Sequence, residues 1–240
     1  MRTCSIVMTS ALLLGGCDST QLRVEQYGAM RDVLRDGHTE ARLRLTDAVG
    51  RPHAVGVGAL EGLEGEITIL DGRVWVARVD GDELRVTGPG PVVGDHATLL
   101  TLAHVPAWQA ITLEASAYGA GLETLIRDAA GTHGLDVTRP FPFLIEGASI
   151  GVDLHVINGF CPVAADPATV GVEPWRRSDL HAEDVVIVGF FAPAAAGSMT
   201  HHGTAIHSHA VLTLDDRTIT AHADRVSISG AVTLRVPIAN

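Results

Sequence analysis

Apolar and polar positions alternate through most of this chain with the two-residue period of β-strands. Glu66-Ile67-Thr68-Ile69-Leu70 and Arg73-Val74-Trp75-Val76-Ala77-Arg78-Val79 are two such runs, joined by Asp71-Gly72. Asp80-Gly81 then leads into Glu83-Leu84-Arg85-Val86. Asp-Gly between alternating runs is a hairpin signal, because tight two-residue turns need positive φ. Further strands are predicted over 97–102, 110–113, 143–145, 152–157, 226–228 and 232–236. The run Val185–Phe191 is almost wholly apolar and reads as a strand buried on both faces. Helical periodicity is confined to 24–34, closed by Gly37, and 122–130, closed by Gly131. Residues 158–184 have no period and read as a long surface excursion, and Gly-Pro-Gly-Pro at 88–91 reads as a loop.

The most informative alternation is Ile206-His207-Ser208-His209-Ala210-Val211-Leu212-Thr213-Leu214, followed by Asp215-Asp216 and Arg217-Thr218-Ile219-Thr220-Ala221-His222. His207 and His209 are two apart, so a strand turns both imidazoles to one face. A two-residue loop at Asp215-Asp216 pairs Leu214 with Arg217 and brings His222 opposite His209. A four-residue loop keeps that parity, whereas an odd loop turns His222 away. Two readings of this face are open. It is a cradle in which three neutral imidazoles hold a metal such as zinc, or a half-exposed strand on which polar histidines alternate. His201-His202 precede it and read as loop residues first and site-lining residues second.

With 240 residues, 46% of them hydrophobic, the chain is long and apolar enough to bury a substantial core, which favours a β-dominated globular fold. Its 28 Asp and Glu against 17 Lys and Arg give a net charge of -11, and aromatics are 4%. Nucleic-acid binding is therefore not expected, since it needs a basic footprint and, for single strands, stacking rings.

Arg2 precedes an apolar run from Ile6 to Leu14, too short to span a bilayer, and Leu14-Gly15-Gly16-Cys17 resembles a lipobox. The expectation is a lipoprotein signal peptide over 1–16, cleavage before Cys17, a lipid on its sulfur and a tether over 17–25. The protein is then an exported bacterial lipoprotein, membrane-anchored on the periplasmic or cell-surface side. Cys161 is the one thiol left in such a mature chain, so no internal disulfide framework arises.

Several motifs together resemble the acetolactate decarboxylase family. Gly58-Ala59-Leu60-Glu61-Gly62-Leu63-Glu64-Gly65-Glu66-Ile67-Thr68-Ile69-Leu70-Asp71-Gly72 is similar to the family's Gly-Glu pair before a strand ending in Leu-Asp-Gly. Phe143-Leu144-Ile145-Glu146-Gly147 looks like its middle strand. Val188-Gly189-Phe190, Pro193, Gly197 and Gly203 precede the histidines in the family's order. The resemblance runs from Gln26 to Ile228. It implies an α+β, β-dominated fold with a mixed sheet and a small β-barrel-like region, with the domain over 26–240, its sheet part at 26–142 and its metal-site part at 143–240.

The resemblance also implies Zn2+ held by His207, His209 and His222, with Glu66 delivering a proton at the metal site. Zinc would act there as the Lewis-acid electron sink in decarboxylating 2-acetolactate to acetoin. Two departures stand out. The family's substrate-holding arginine falls on His155, which lacks arginine's permanent charge and two-pronged fork. The family's second active-site glutamate lies in a C-terminal extension, and this sequence stops at Asn240. His155 is open to three roles: none, a hydrogen bond to substrate, or an extra metal ligand. The alternatives to acetolactate decarboxylation are a noncatalytic metal-binding lipoprotein of the same fold, or decarboxylation of another hydroxy-keto acid. The expected partners are the small-molecule substrate, the membrane through Cys17 and, among assemblies, a homodimer.

Overall fold

A computed structural model describes residues 22–90, 93–161, 174–182 and 184–239. The signal peptide and Cys17 lie outside the described residues. The first sheet contains β1 (Val24–Tyr27), β2 (Leu43–Arg44), β3 (Ala54–Leu60), β4 (Glu66–Leu70), β5 (Arg73–Asp80), β6 (Glu83–Thr87) and β7 (His96–His104). Its order is β1-β7-β3-β4-β5-β6, with β2 also on β7, and a four-residue helix α1 (Leu45–Ala48) follows β2.

The second sheet begins with β8 (Trp108–Tyr118), after which helix α2 (Gly119–Thr132) crosses to β9 (Phe141–Glu146) and β10 (Ile150–Val156). β11 (Trp175–His181), β12 (Val185–Phe191), β13 (Ile206–Leu214) and β14 (Arg217–Pro237) complete it. The order is β11-β10-β14-β13-β12-β9, with β8 on β14. The far part of the long β14 also pairs with β9. That pairing closes β14, β13, β12 and β9 into a ring, the small barrel-like region.

The protein is β-dominated as its alternation predicts, but every pair between named strands is antiparallel rather than mixed. From β3 to β6 in the first sheet, and from β12 to β14 in the second, neighbours are also neighbours in sequence. Short connections between them permit only the antiparallel sense. The passage between sheets falls between His104 and Trp108, upstream of 142, because β8 already belongs to the second sheet.

Three other elements differ from their sequence pattern. The stretch 24–34 is not one helix: Val24–Tyr27 pairs with Leu100–Ala103 of β7, and Gly28, at φ 70°, ends the strand. Only Arg31–Arg35 coils, as one π-helical turn. Its Val33 and the adjacent Met30 are buried with Leu63, Leu99, Ile157 and Cys161. The apolar spacing was therefore genuine, but pairing with β7 outweighed helix propensity at its start. In 158–184, β11 is a strand on β10, anchored by buried Trp175 although its middle is exposed and polar. Residue 131 lies inside α2, which runs on to Thr132.

The two sheets pack face to face through Val55, Val57 and Ala103 on one side and Leu144, Val188 and Phe190 on the other. Along β12 the neighbouring Ile187 serves a second cluster, in which Leu122, Ile126 and Ala130 of α2 cover the second sheet. A continuously apolar strand is thus what this position requires. Each fully buried side chain such as Phe190 contributes about 1.5–3 kcal/mol.

Candidate metal centre

The hairpin of β13 and β14 turns at Asp215 and Asp216, with φ of 50° and 60°, and pairs Leu214 with Arg217. These are the positive-φ residues of a two-residue hairpin turn. The register places His209 opposite His222, and on the other side of β14 places His155 opposite His222. Three adjacent strands therefore carry a row His155, His222, His209, with His207 beside it on β13.

His207, His209 and His222 are buried, and each offers a nitrogen within 4.8 Å of the others'. Their ring centroids form a nearly equilateral triangle of 5.4, 5.2 and 5.5 Å. Burial is the largest cause lowering their pKa values, assisted by their mutual charges or that of His155. His209 falls to about 3, and His207 and His222 fall well below 6.5. The triad is consequently neutral at pH 7, the state in which imidazole ligates a metal.

The donor set fits a metal ion on a further observation. His207 Nδ1 and His209 Nε2 are buried without a hydrogen-bond partner. Leaving such polar atoms without a partner costs about 1–3 kcal/mol each, a cost that a metal ion bound by them would remove. On His209 the other nitrogen, Nδ1, lies 3.0 Å from Thr68 Oγ1. A ring nitrogen anchored to the protein is the usual way a metal-ligating histidine is oriented.

Glu66 reaches this face from β4 of the first sheet, where Ala59 and Ala77 are its cross-strand partners. These small neighbours leave room for a buried carboxyl. Its oxygens lie 3.6 Å from His209 Nε2 and 3.9 Å from His155 Nε2. Burial pushes its pKa up to about 7, against the pull of His155 and of the Ile157 N–H, with Asp224 adding to the rise. Glu66 therefore holds or yields a proton near neutrality.

Asp224 is a site residue that the sequence reading missed. Asp153 pairs with Arg225 and Leu154 with Ala223, so Asp224 is the extra residue of a β-bulge. Its Oδ1 stands 2.7 Å from His155 Nδ1 and 4.0 Å from His222 Nε2. His155, His222 and Asp224 form a second group of possible ligands sharing His222 with the first. In that group His155 Nδ1 is already hydrogen-bonded, whereas the three-histidine group has two nitrogens with no other partner. The first group is the better metal cradle. The one sequence signal for Asp224 is its place two residues after His222, as Thr68 is two after Glu66, and that spacing does not reveal the bulge.

The structure thus brings together Glu66, His155, His207, His209 and His222, the residues singled out in the sequence. His201 joins them from the loop before β13, its ring 5.5 Å from that of His222. It lines a cavity of ≈ 470 Å³ with His222 and Asp224, whose walls include Leu122, Phe143 and Ile187.

No protein-family model matches the chain, and no curated protein matches it in sequence. Solved structures do match. Alpha-acetolactate decarboxylase from Bacillus subtilis strain 168 superposes with a TM-score of 0.64 at 16% identity, covering 90% of this chain and 86% of that one. Acetolactate decarboxylase from Bacillus subtilis subspecies spizizenii gives a TM-score of 0.65 at 17% identity, with the same 90% and 86% coverage. A Staphylococcus aureus protein of unknown function, similar to alpha-acetolactate decarboxylase, gives 0.65 at 16%, again with 90% and 86% coverage. The chain shares the fold of these proteins over nearly its whole described length.

Proposed function

We propose that the histidine triad is a zinc centre and that the protein decarboxylates a 2-hydroxy-3-oxo acid of the acetolactate type, releasing acetoin from acetolactate. The observation that carries this reading is Glu66: a buried carboxyl, poised near pH 7, 3.6 Å from a neutral histidine of the triad.

Zinc, when bound, supplies a Lewis-acid sink for the electron pair that moves toward the ketone as carbon dioxide leaves. The remaining steps fall to this chain's own residues. Glu66 in its acid form donates its proton to one face of the enediolate carbon and ends as a carboxylate. Its burial keeps bulk water from competing for that proton, which favours one configuration of the product. His155 donates Nδ1–H to Asp224 and so offers the Nε2 lone pair on the Glu66 side. That lone pair accepts a hydrogen bond from a substrate hydroxyl, a different task from arginine's grip on an anion.

The decisive experiment measures acetoin release and zinc content together, on soluble protein beginning at Asp18 and on its Glu66→Gln variant. The expected result is turnover by the zinc-loaded wild type and zinc retention without turnover by the variant. Stoichiometric zinc with no acetoin from the wild type would instead favour a noncatalytic metal-binding protein of the same fold. A panel of longer hydroxy-keto acids separates acetolactate from related substrates.

For location, we propose export and anchoring through a lipid on Cys17. Partition of the full-length protein into detergent, lost on Cys17→Ser, is the expected behaviour; an aqueous wild type rejects the anchor.

A further inference from the structure

Thr68 and Thr220 belong to different sheets, yet their hydroxyl oxygens are 2.7 Å apart and both residues are fully buried. Thr220 lies two residues before His222 on β14, and Thr68 two residues after Glu66 on β4. Each threonine therefore shares the face of its strand with a residue of the centre. Thr68 Oγ1 also meets His209 Nδ1, at 3.0 Å.

The direction of these bonds follows from what each group can donate. A neutral imidazole carries one N–H, and a hydroxyl donates once while accepting up to twice. His209 Nε2 has no hydrogen-bond partner whereas Nδ1 has one in Thr68 Oγ1, so the ring's single proton is placed on Nδ1. Thr68 Oγ1 must then accept from His209, and its own proton turns to the Thr220 oxygen. The opposite arrangement, Thr68 donating to Nδ1, puts a proton on Nε2, whose neighbouring Glu66 oxygen at 3.6 Å is too far for a hydrogen bond, and takes away that nitrogen's lone pair.

We propose that Thr68 and Thr220 form a directed hydrogen-bond chain, His209 Nδ1–H to Thr68 to Thr220, that holds His209 in the tautomer whose Nε2 lone pair is free to ligate a metal. Thr68 is a positioning residue for His209, and Thr220 acts through Thr68. The arrangement ties ligand and proton donor to one strand, since a shift of β4 moves Thr68 and Glu66 together. The inference rests on the triad being the metal centre, and its test separates the two. Loss of hydrogen bonds that orient a ligating histidine lowers metal affinity by about 10–100-fold.

The test titrates zinc against a competing chromophoric chelator in wild type, Thr68→Val, Thr68→Ser, Thr220→Val and His207→Ala, with circular dichroism of each metal-free protein as the folding check. Valine keeps threonine's shape and removes its hydroxyl, whereas serine keeps the hydroxyl. Affinity should fall about 10-fold or more in Thr68→Val and in Thr220→Val and stay within a few-fold of wild type in Thr68→Ser. The Thr220 variant is the sharper arm, because Thr220 touches no ligand; its effect arises only if Thr68 loses its acceptor and turns its proton toward Nδ1. Nitrogen-15 NMR of the metal-free wild type should show the His209 proton on Nδ1. Finding it on Nε2, or finding that folded Thr68→Val binds zinc as tightly as wild type, overturns the chain. Failure of His207→Ala to weaken zinc overturns the metal centre itself.

Discussion

Asp224 Oδ1 accepts a hydrogen bond from His155 Nδ1 at 2.7 Å, and this bond determines what the other end of the imidazole presents to Glu66, 3.9 Å away. A carboxylate can only accept, so Nδ1 carries a proton, and in the neutral ring Nε2 is then the lone pair. In Asp224→Asn the amide can donate as readily as accept, and that obligation is lost. Acetoin turnover should fall by about 10–100-fold. Zinc content should be unchanged, because neither Asp224 nor His155 belongs to the three-histidine set. Full turnover in the variant would remove the Asp224–His155 pair from the mechanism.

The loop that sets the histidine parity holds two exposed aspartates at positive φ. A residue with a Cβ in that region costs about 1–2 kcal/mol, and glycine avoids the cost. Asp216→Gly should therefore raise the urea midpoint by an amount equivalent to about 1 kcal/mol, with zinc affinity unaltered. A lower midpoint would mean that the Asp216 side chain stabilises the turn by more than its backbone conformation costs.

Gly58 makes the opposite case. A Cβ built there would stand 2.0 Å from the Leu99 carbonyl oxygen and 2.8 Å from the Leu100 Cα, both backbone atoms of β7. Neither can move without opening the β3–β7 ladder. Gly58→Ala should destabilise the protein by about 1–3 kcal/mol or more, read as a lower Tm. It should also reduce turnover, because Ala59 beside it is the ladder partner of Glu66. Wild-type stability in this variant contradicts the close approach of the two strands.

These cases also indicate what could be read in advance. The hairpin was legible because its register depends only on loop length and strand parity, both local properties, and His209 does face His222. Glu66, His155 and the hairpin histidines were singled out in the sequence, but that β4 and β10 deliver them to one point is a property of sheet order, which alternation does not encode. Asp224 stayed hidden because a bulge is a one-residue irregularity with no signature in the apolar pattern. The strand β1 was mistaken for the start of a helix because its partner β7 lies some seventy residues away in sequence. β11 was missed because a polar edge strand leaves little periodic apolar signal.

Glu66 makes the metal-free protein's stability depend on pH in a way that its glutamine variant should lack. Its pKa is raised from 4.5 to about 7, chiefly by burial. The folded state thus binds this proton more tightly than the unfolded state. The resulting stability is fully present below about pH 4.5 and is lost as pH rises through about 7. The triad histidines act in the opposite sense: their lowered values give stability present above pH 6.5 and lost as pH falls. Comparing wild type with Glu66→Gln largely cancels the histidine contribution, since both proteins carry it. Urea unfolding between pH 4 and 8 should show the variant gaining on wild type from about pH 4.5 to about pH 7 and levelling off above. The total gain should be on the order of 3 kcal/mol, the equivalent of the shift at about 1.4 kcal/mol per pH unit. A difference that stays flat across this window means that the Glu66 carboxyl ionises as it would in water, which removes its fitness as the proton donor.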